Sequence, residues 1–214
     1  MNDAKLKIHF VLEGNEEYAL FQIIEKAMKS TYIEMTYKNC HGGGTIPAFF
    51  QAALASDNYD IIYCVYDVDF KPNDENGMYA RIRKGLYKVL GEESEIDKIS
   101  LCTNPNTLLV LLLGYTDLSN LKDIKADKKS NTELIRKYCP KIGNKKSYDA
   151  SEWQLELIKN DYLFNNSASF DKMLESCNLI NEKYKEDGIG SNILRVIQAL
   201  IIDDVEDFKK RMEE

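Results

Sequence analysis

Paired cysteines are missing from this chain. Its five cysteines, Cys40, Cys64, Cys102, Cys139 and Cys177, stand singly with no CxxC pair, which excludes a disulfide framework and a zinc ribbon and fits reduced thiols in a cytosol. Long apolar runs are missing too. The longest, Leu108 to Leu113, is six residues, against the roughly 20 a spanning helix requires. Asn2-Asp3-Ala4-Lys5 runs straight into the first expected strand without signal-peptide organisation, so a cytoplasmic protein with no membrane contact is expected. A global basic field is also absent: net charge is −7 and the pI about 5.1, so nothing draws in nucleic acid over the whole surface. Internal repeats and low-complexity tracts are lacking. Three glycines at Gly42–Gly44 lack the Lys-Ser/Thr that a P-loop needs.

What is present is an ordinary globular composition, 44% hydrophobic and 29% charged in 214 residues, enough for one medium domain or a domain with a helical appendage. The first half alternates strand and helix patterns. Strands are expected over 6–13, 32–37, 60–67 and 96–102, and helices over about 16–29, 46–56, through Leu90, and from Pro105 to Leu113. After Gly114 the pattern is helical, over 130–139, 150–164, 168–186 and 190–212. The expected fold is α/β, a mainly parallel four-stranded sheet flanked by helices (1–115), with a C-terminal helical region (116–214) packed on it.

Two strand patterns end in carboxylates. Lys7-Ile8-His9-Phe10-Val11-Leu12 delivers Glu13, followed by Gly14, which permits a tight turn. Asp60-Ile61-Ile62-Tyr63-Cys64-Val65-Tyr66 delivers Asp67 and, two residues on, Asp69. In open α/β sheets the carboxyl ends of the strands are where ligands bind. If these strands are neighbours, Glu13, Asp67 and Asp69 converge, with Glu17 one helical turn beyond Glu13. Crowded carboxylates repel unless a cation neutralises them, and an oxygen-only set suits Mg²⁺ or Mn²⁺. The expected metal ligands are Glu13, Glu17, Asp67 and Asp69, and the expected chemistry is on a phosphate. Between Lys122 and Lys146 nine bases face three acids, a local surplus suited either to phosphates or to plain solvation. His9 reads as a packed or edge residue, and His41, beside the glycines, as a turn residue able to present an imidazole. Trp153 and the tyrosines of the second half read as core.

Val11-Leu12-Glu13-Gly14-Asn15-Glu16-Glu17 and Tyr66-Asp67-Val68-Asp69 resemble the glutamate and DxD motifs of Toprim domains, the metal-binding fold of topoisomerases, primases and OLD-family nucleases. The RloB-like branch, from phage-defence and abortive-infection operons, is a closer resemblance. It is carried by Gly42-Gly43-Gly44-Thr45-Ile46-Pro47, Thr103-Asn104-Pro105, and Lys137-Tyr138-Cys139-Pro140 with Lys145 and Lys146 beyond, over about residues 6–150. The family often has an acid three residues after the Asn-Pro proline, where this chain has Leu108. The resemblance implies a Toprim-like fold and a Mg²⁺-dependent nuclease acting on RNA, including tRNA, or DNA. Glu13, Asp67, Asp69, Lys137 and Lys145 are its implied catalytic residues, Lys141 and Lys146 being alternatives for the lysine. It also implies an ABC- or OLD-type ATPase partner, with the helical half as docking or homodimerisation surface. A non-catalytic interaction subunit of the same fold is the second reading. An aspartate-nucleophile phosphatase is disfavoured, because its DxD belongs on the first strand.

Overall fold

A computed structural model describes residues 5–28, 30–69, 74–104, 107, 133, 175, 178, 181–182 and 190–200. The expected boundary near residue 115 and the helices at 130–139 and 150–164 lie outside these, apart from Glu133, which is helical.

Among the described residues five strands form one sheet in the order β2-β1-β3-β4-β5. They are β1 (Leu6–Leu12), β2 (Ile33–Asn39), β3 (Ile61–Asp67), β4 (Ser100–Asn104) and β5 (Gly190–Ser191). The first four are parallel and β5 is antiparallel to β4. Among the described residues the helices with defined bounds are α1 (Asn15–Ala27), a 3₁₀ turn at Gly43–Thr45, α2 (Ile46–Ser56), α3 (Met78–Leu90), α4 (Glu93–Ile99) and α5 (Ile193–Leu200). The expected α/β class therefore stands, with a mostly parallel sheet of five strands rather than four.

The handedness of the crossovers distributes the helices. A parallel strand–helix–strand connection is right-handed. The chain moves from β1 outward to β2, then returns past β1 to β3, so α1 covers one face and α2 and α3 the other. Residues two apart on a strand share a face, and the core divides accordingly. Val11, Ile62, Cys64 and Tyr66 pack with Ile46, Phe50, Ile82, Leu86 and Ile96 from α2, α3 and α4. Phe10, on the opposite face, meets Phe21 of α1 at 4.4 Å between ring centroids and Tyr63 at 5.7 Å. Burial on both faces explains why β1 and β3 are near-continuous apolar runs.

The fourth strand begins later than its sequence pattern indicates. Residues 93–99 are helical, and the strand occupies Ser100–Asn104. The apolar Ile96 and Ile99 suit either state, and the short helix α4 is enough to bury Ile96 against Ile82 and Leu86 of α3. The strands also do not stop at Gly114, because Gly190–Ser191 adds a fifth. Its formation is explained by partners distant in sequence. Asn192 Oδ1 accepts the Cys102 N–H at 2.6 Å, its Nδ2 donates to the Ser100 carbonyl at 2.9 Å, and Asn181 brackets Ser191 through both its amide atoms. These side chains complete the edge of β4 where a two-residue strand cannot. The expected helix over 190–212 accordingly starts at Ile193 within the described residues.

Cys40 and Cys64 are buried thiols and Cys102 is half-buried, none of them in a disulfide. Burial pushes the Cys40 thiol up to about 11 and Cys64 well above its ordinary value, so both stay protonated and serve as small core residues. Among the described residues no helix is long and apolar enough to cross a membrane.

Candidate metal centre

Strand order reverses between β1 and β3, and at such a switch point the flanking loops diverge to opposite faces and leave a crevice. Glu13 follows β1 there, and Asp67 ends β3. Register brings them together: Leu12 pairs with Val65, the Glu13 N–H donates to the Val65 carbonyl at 2.9 Å, and the Asp67 N–H donates to Glu13 Oε2 at 2.9 Å. The loop after β2 closes a third side, with Gly42 N–H donating to the Glu13 carbonyl at 2.7 Å. Gly42 has φ 139°, a region that residues with a Cβ rarely adopt. Gly43 is required for space instead. A Cβ there would lie 2.8 Å from Ile82 Cδ1, 2.9 Å from Met78 Cγ and 3.3 Å from Glu13 Oε1. Gly14 is different. Its φ of −155° is extended backbone open to any residue, so the tight turn expected there needs no special dihedral angle.

The first turn of α1 supplies two more acids, Glu16 and Glu17, both buried. Glu17, at the third helical position, accepts the Gly14 N–H at 2.8 Å, the half of a capping box available when the N-cap has no side chain. Carboxylates at a helix N-terminus are favoured by about 0.3–1 kcal/mol. Capping alone therefore accounts for Glu17, but not for a buried aspartate placed against it.

Oxygens of Glu16, Glu17 and Asp67 all lie within 4.8 Å of one another. They line a cleft of about 210 Å³ together with Glu13, Gly14, Asn15 and Gly42. Asp67 is held from the far side by the segment after β4: Oδ1 accepts the Thr107 N–H at 2.8 Å and the Thr107 hydroxyl at 3.1 Å. Burial pushes the Asp67 carboxyl well above the ordinary carboxylate range. The charges of Glu17, Glu13 and Glu16 push it further, and the Thr107 N–H pulls the other way. At about 4.8 Å and an effective dielectric of 20, two ionised carboxylates repel by about 3.5 kcal/mol. That exceeds the helix-dipole gain, so the cluster is unfavourable as bare charge. An all-oxygen donor set of three buried carboxylates is a set that can hold a metal ion.

The expected residues are placed as follows. Glu13, Glu17 and Asp67 meet at the cleft. Glu13 is joined to Asp67 by the backbone hydrogen bond rather than counted within the tightest group of oxygens. Asp69 is exposed, with a left-handed backbone (φ 53°) one turn past the strand end, and stands outside that group. Strand alternation does not extend from Asp67 to Asp69, because Val68 is already beyond β3. Glu16, which the sequence reading passed over, is in the group. The available signal was its position in the first turn of the helix behind Glu13. Lys137 and Lys145 lie outside the described residues, as do Lys141 and Lys146. His9 is packed: it stacks on Tyr59 at 4.3 Å, its Nδ1 is 2.7 Å from Thr36 Oγ1, and burial lowers its pKa. His41 is exposed in the turn before Gly42, and it is Gly42 that lines the cleft.

Comparison of the chain with protein-family models, with curated proteins and with solved structures found no match.

Proposed function

We propose that this chain is a divalent-cation-dependent phosphodiesterase of the Toprim-like, RloB-like kind, cleaving RNA or DNA as the effector of an antiviral defence system. The observation that supports this most is the convergence of Glu13, Glu16, Glu17 and Asp67 from two non-adjacent segments at the switch point of a parallel sheet. Capping explains Glu17 alone, whereas a metal ion would give Glu16, Glu17 and Asp67 one shared role. Glu16, Glu17 and Asp67 are the residues that would hold Mg²⁺ or Mn²⁺. The ion, when bound, supplies the positive charge that polarises a phosphodiester and acidifies an attacking water. Thr107 fixes the Asp67 carboxylate from behind. The Asp67 N–H fixes Glu13 Oε2, and Glu13, which lines the cleft, is the group proposed to take a proton from water. A lysine from 137–146 would neutralise charge on the phosphoryl oxygens.

An ABC- or OLD-type ATPase partner and a cytoplasmic setting belong to the same reading. The test is incubation of the full chain with total tRNA and with plasmid in Mg²⁺ or Mn²⁺, with and without that partner. Cleavage abolished by Asp67→Asn and Glu17→Gln is expected. Cleavage that persists in both variants refutes the assignment of this cleft. Leu108, in place of the acid common in the family, and the exposed position of Asp69 favour a second reading, a non-catalytic interaction subunit of this fold. It predicts Mn²⁺ binding without cleavage even with the partner present.

A further inference from the structure

The helix that follows the cleft carries its own recognition chemistry. Among its 13 residues α3 has four cations and no acid, in a chain of net charge −7. Arg83 is committed to Glu93 and Asp97 of α4, and Lys98 takes Glu95. Arg81, Lys84 and Lys88 are exposed and make no ion pair among the described residues. Their spacing of three and four residues puts them on one stripe of the helix, about 10 Å long at 1.5 Å per residue.

Beside that stripe runs a groove of about 420 Å³ lined by Tyr79, Ala80, Arg83, Lys84, Tyr87 and Glu93. Tyr87 is 47% exposed and falls between Arg83 and Lys84 around the helix. The ion pairs with α4 compensate the Arg83 charge, while its guanidinium lies 5.8 Å from the Tyr79 ring centroid. The groove thus offers planar surfaces for stacking, and the stripe offers positive charge that no described acid pairs. Helix α3 also begins beside the cleft, since Met78 and Glu13 both border Gly43.

We propose that the exposed face of α3 binds single-stranded nucleic acid, with phosphates along Arg81, Lys84 and Lys88 and a base stacked on Tyr87 in the adjoining groove. Cations interleaved with an accessible aromatic are the surface such a strand recognises. The stripe covers about three nucleotides at an axial rise of about 3.4 Å per nucleotide of a stacked strand. The strand's identity as substrate rests on the phosphodiesterase reading, whereas its contact with α3 does not.

The test is fluorescence anisotropy of a labelled 12-nucleotide oligouridylate or oligothymidylate with the full chain in EDTA, between 50 and 200 mM salt. The triple variant Arg81→Ala/Lys84→Ala/Lys88→Ala is expected to bind at least tenfold more weakly, with a logarithmic salt slope shallower by about 2, at about 0.7 per phosphate contact. Tyr87→Ala is expected to bind roughly tenfold more weakly with its slope unchanged. Unchanged affinity and slope in the triple variant, or no oligonucleotide binding by wild type, overturns the proposal. Equal binding of poly-glutamate would assign the face to an acidic protein and overturns it too. Binding that is lost in the triple variant, without cleavage in Mn²⁺ by wild type even with the partner present, would sink the phosphodiesterase reading and leave this one standing.

Discussion

Replacing Asp67 by Asn removes one charge from the buried cluster and keeps an oxygen for Thr107. The wild-type carboxyl titrates above its unfolded value of about 3.8, so between the two values the native state holds more protons than the unfolded chain. Stability without metal is therefore at its full value below about pH 4 and declines as pH rises toward the native pKa. At 4.8 Å and an effective dielectric of 20 each ionised neighbour contributes about 3.5 kcal/mol of repulsion, and residual protonation limits how much of that is felt. Asp67→Asn is expected to gain about 2 kcal/mol in EDTA at pH 8, roughly 4–8 °C in melting temperature for a chain of this size, and little at pH 5. Mn²⁺ at 100 times its dissociation constant should stabilise the wild type by about 2.7 kcal/mol, more at pH 8 than at pH 6 because binding displaces protons, and should leave the variant nearly unmoved. The assay is a melting series over pH 5–9 with EDTA or Mn²⁺. A variant destabilised equally at every pH, with a wild type indifferent to Mn²⁺, would mean that Asp67 serves only to receive Thr107, and the charge argument would fail.

Glu17→Gln retains an acceptor for the Gly14 N–H, so stability should change by less than about 1 kcal/mol while Mn²⁺ affinity, read by calorimetric titration, falls at least tenfold; a variant that melts early and binds normally would make Glu17 a cap only. Asp69→Asn should weaken Mn²⁺ binding less than Asp67→Asn does, given its exposed left-handed position, and an equal loss in the same titration would place Asp69 in the site. Gly43→Ala forces a Cβ against Ile82 and Met78 and should cost about 1–3 kcal/mol by chemical denaturation; a neutral result would show that the loop after β2 yields freely. Phe10→Ala, emptying the contact with Phe21 and Tyr63, should cost about 3–5 kcal/mol, and a loss under 1 kcal/mol in the same assay would contradict the packing described on that face.

Much of this molecule is set by local pattern. The near-continuous apolar runs of β1 and β3 require burial on both faces, and the helix at 46–56 begins at Ile46-Pro47 and ends at Ser56 as its pattern indicates. Glu13 and Asp67 sit at strand tips because each run ends in a carboxylate, a fact visible in one dimension. The tertiary structure alone decides which strands are neighbours. Residues 13 and 67 are 54 positions apart, and only the pairing of β1 with both β2 and β3 sets them across one hydrogen bond. It also decides that Glu16 joins the cluster while Asp69 turns away, because side-chain direction past a strand end follows the turn and not strand alternation. The helix at 93–99 and the strand at 190–191 escaped local reading for the same reason. Short segments have weak intrinsic preference, and theirs is fixed by the partners they meet: Ile96 by the core under α3, and Ser191 by Asn181, Thr103 and the edge of β4.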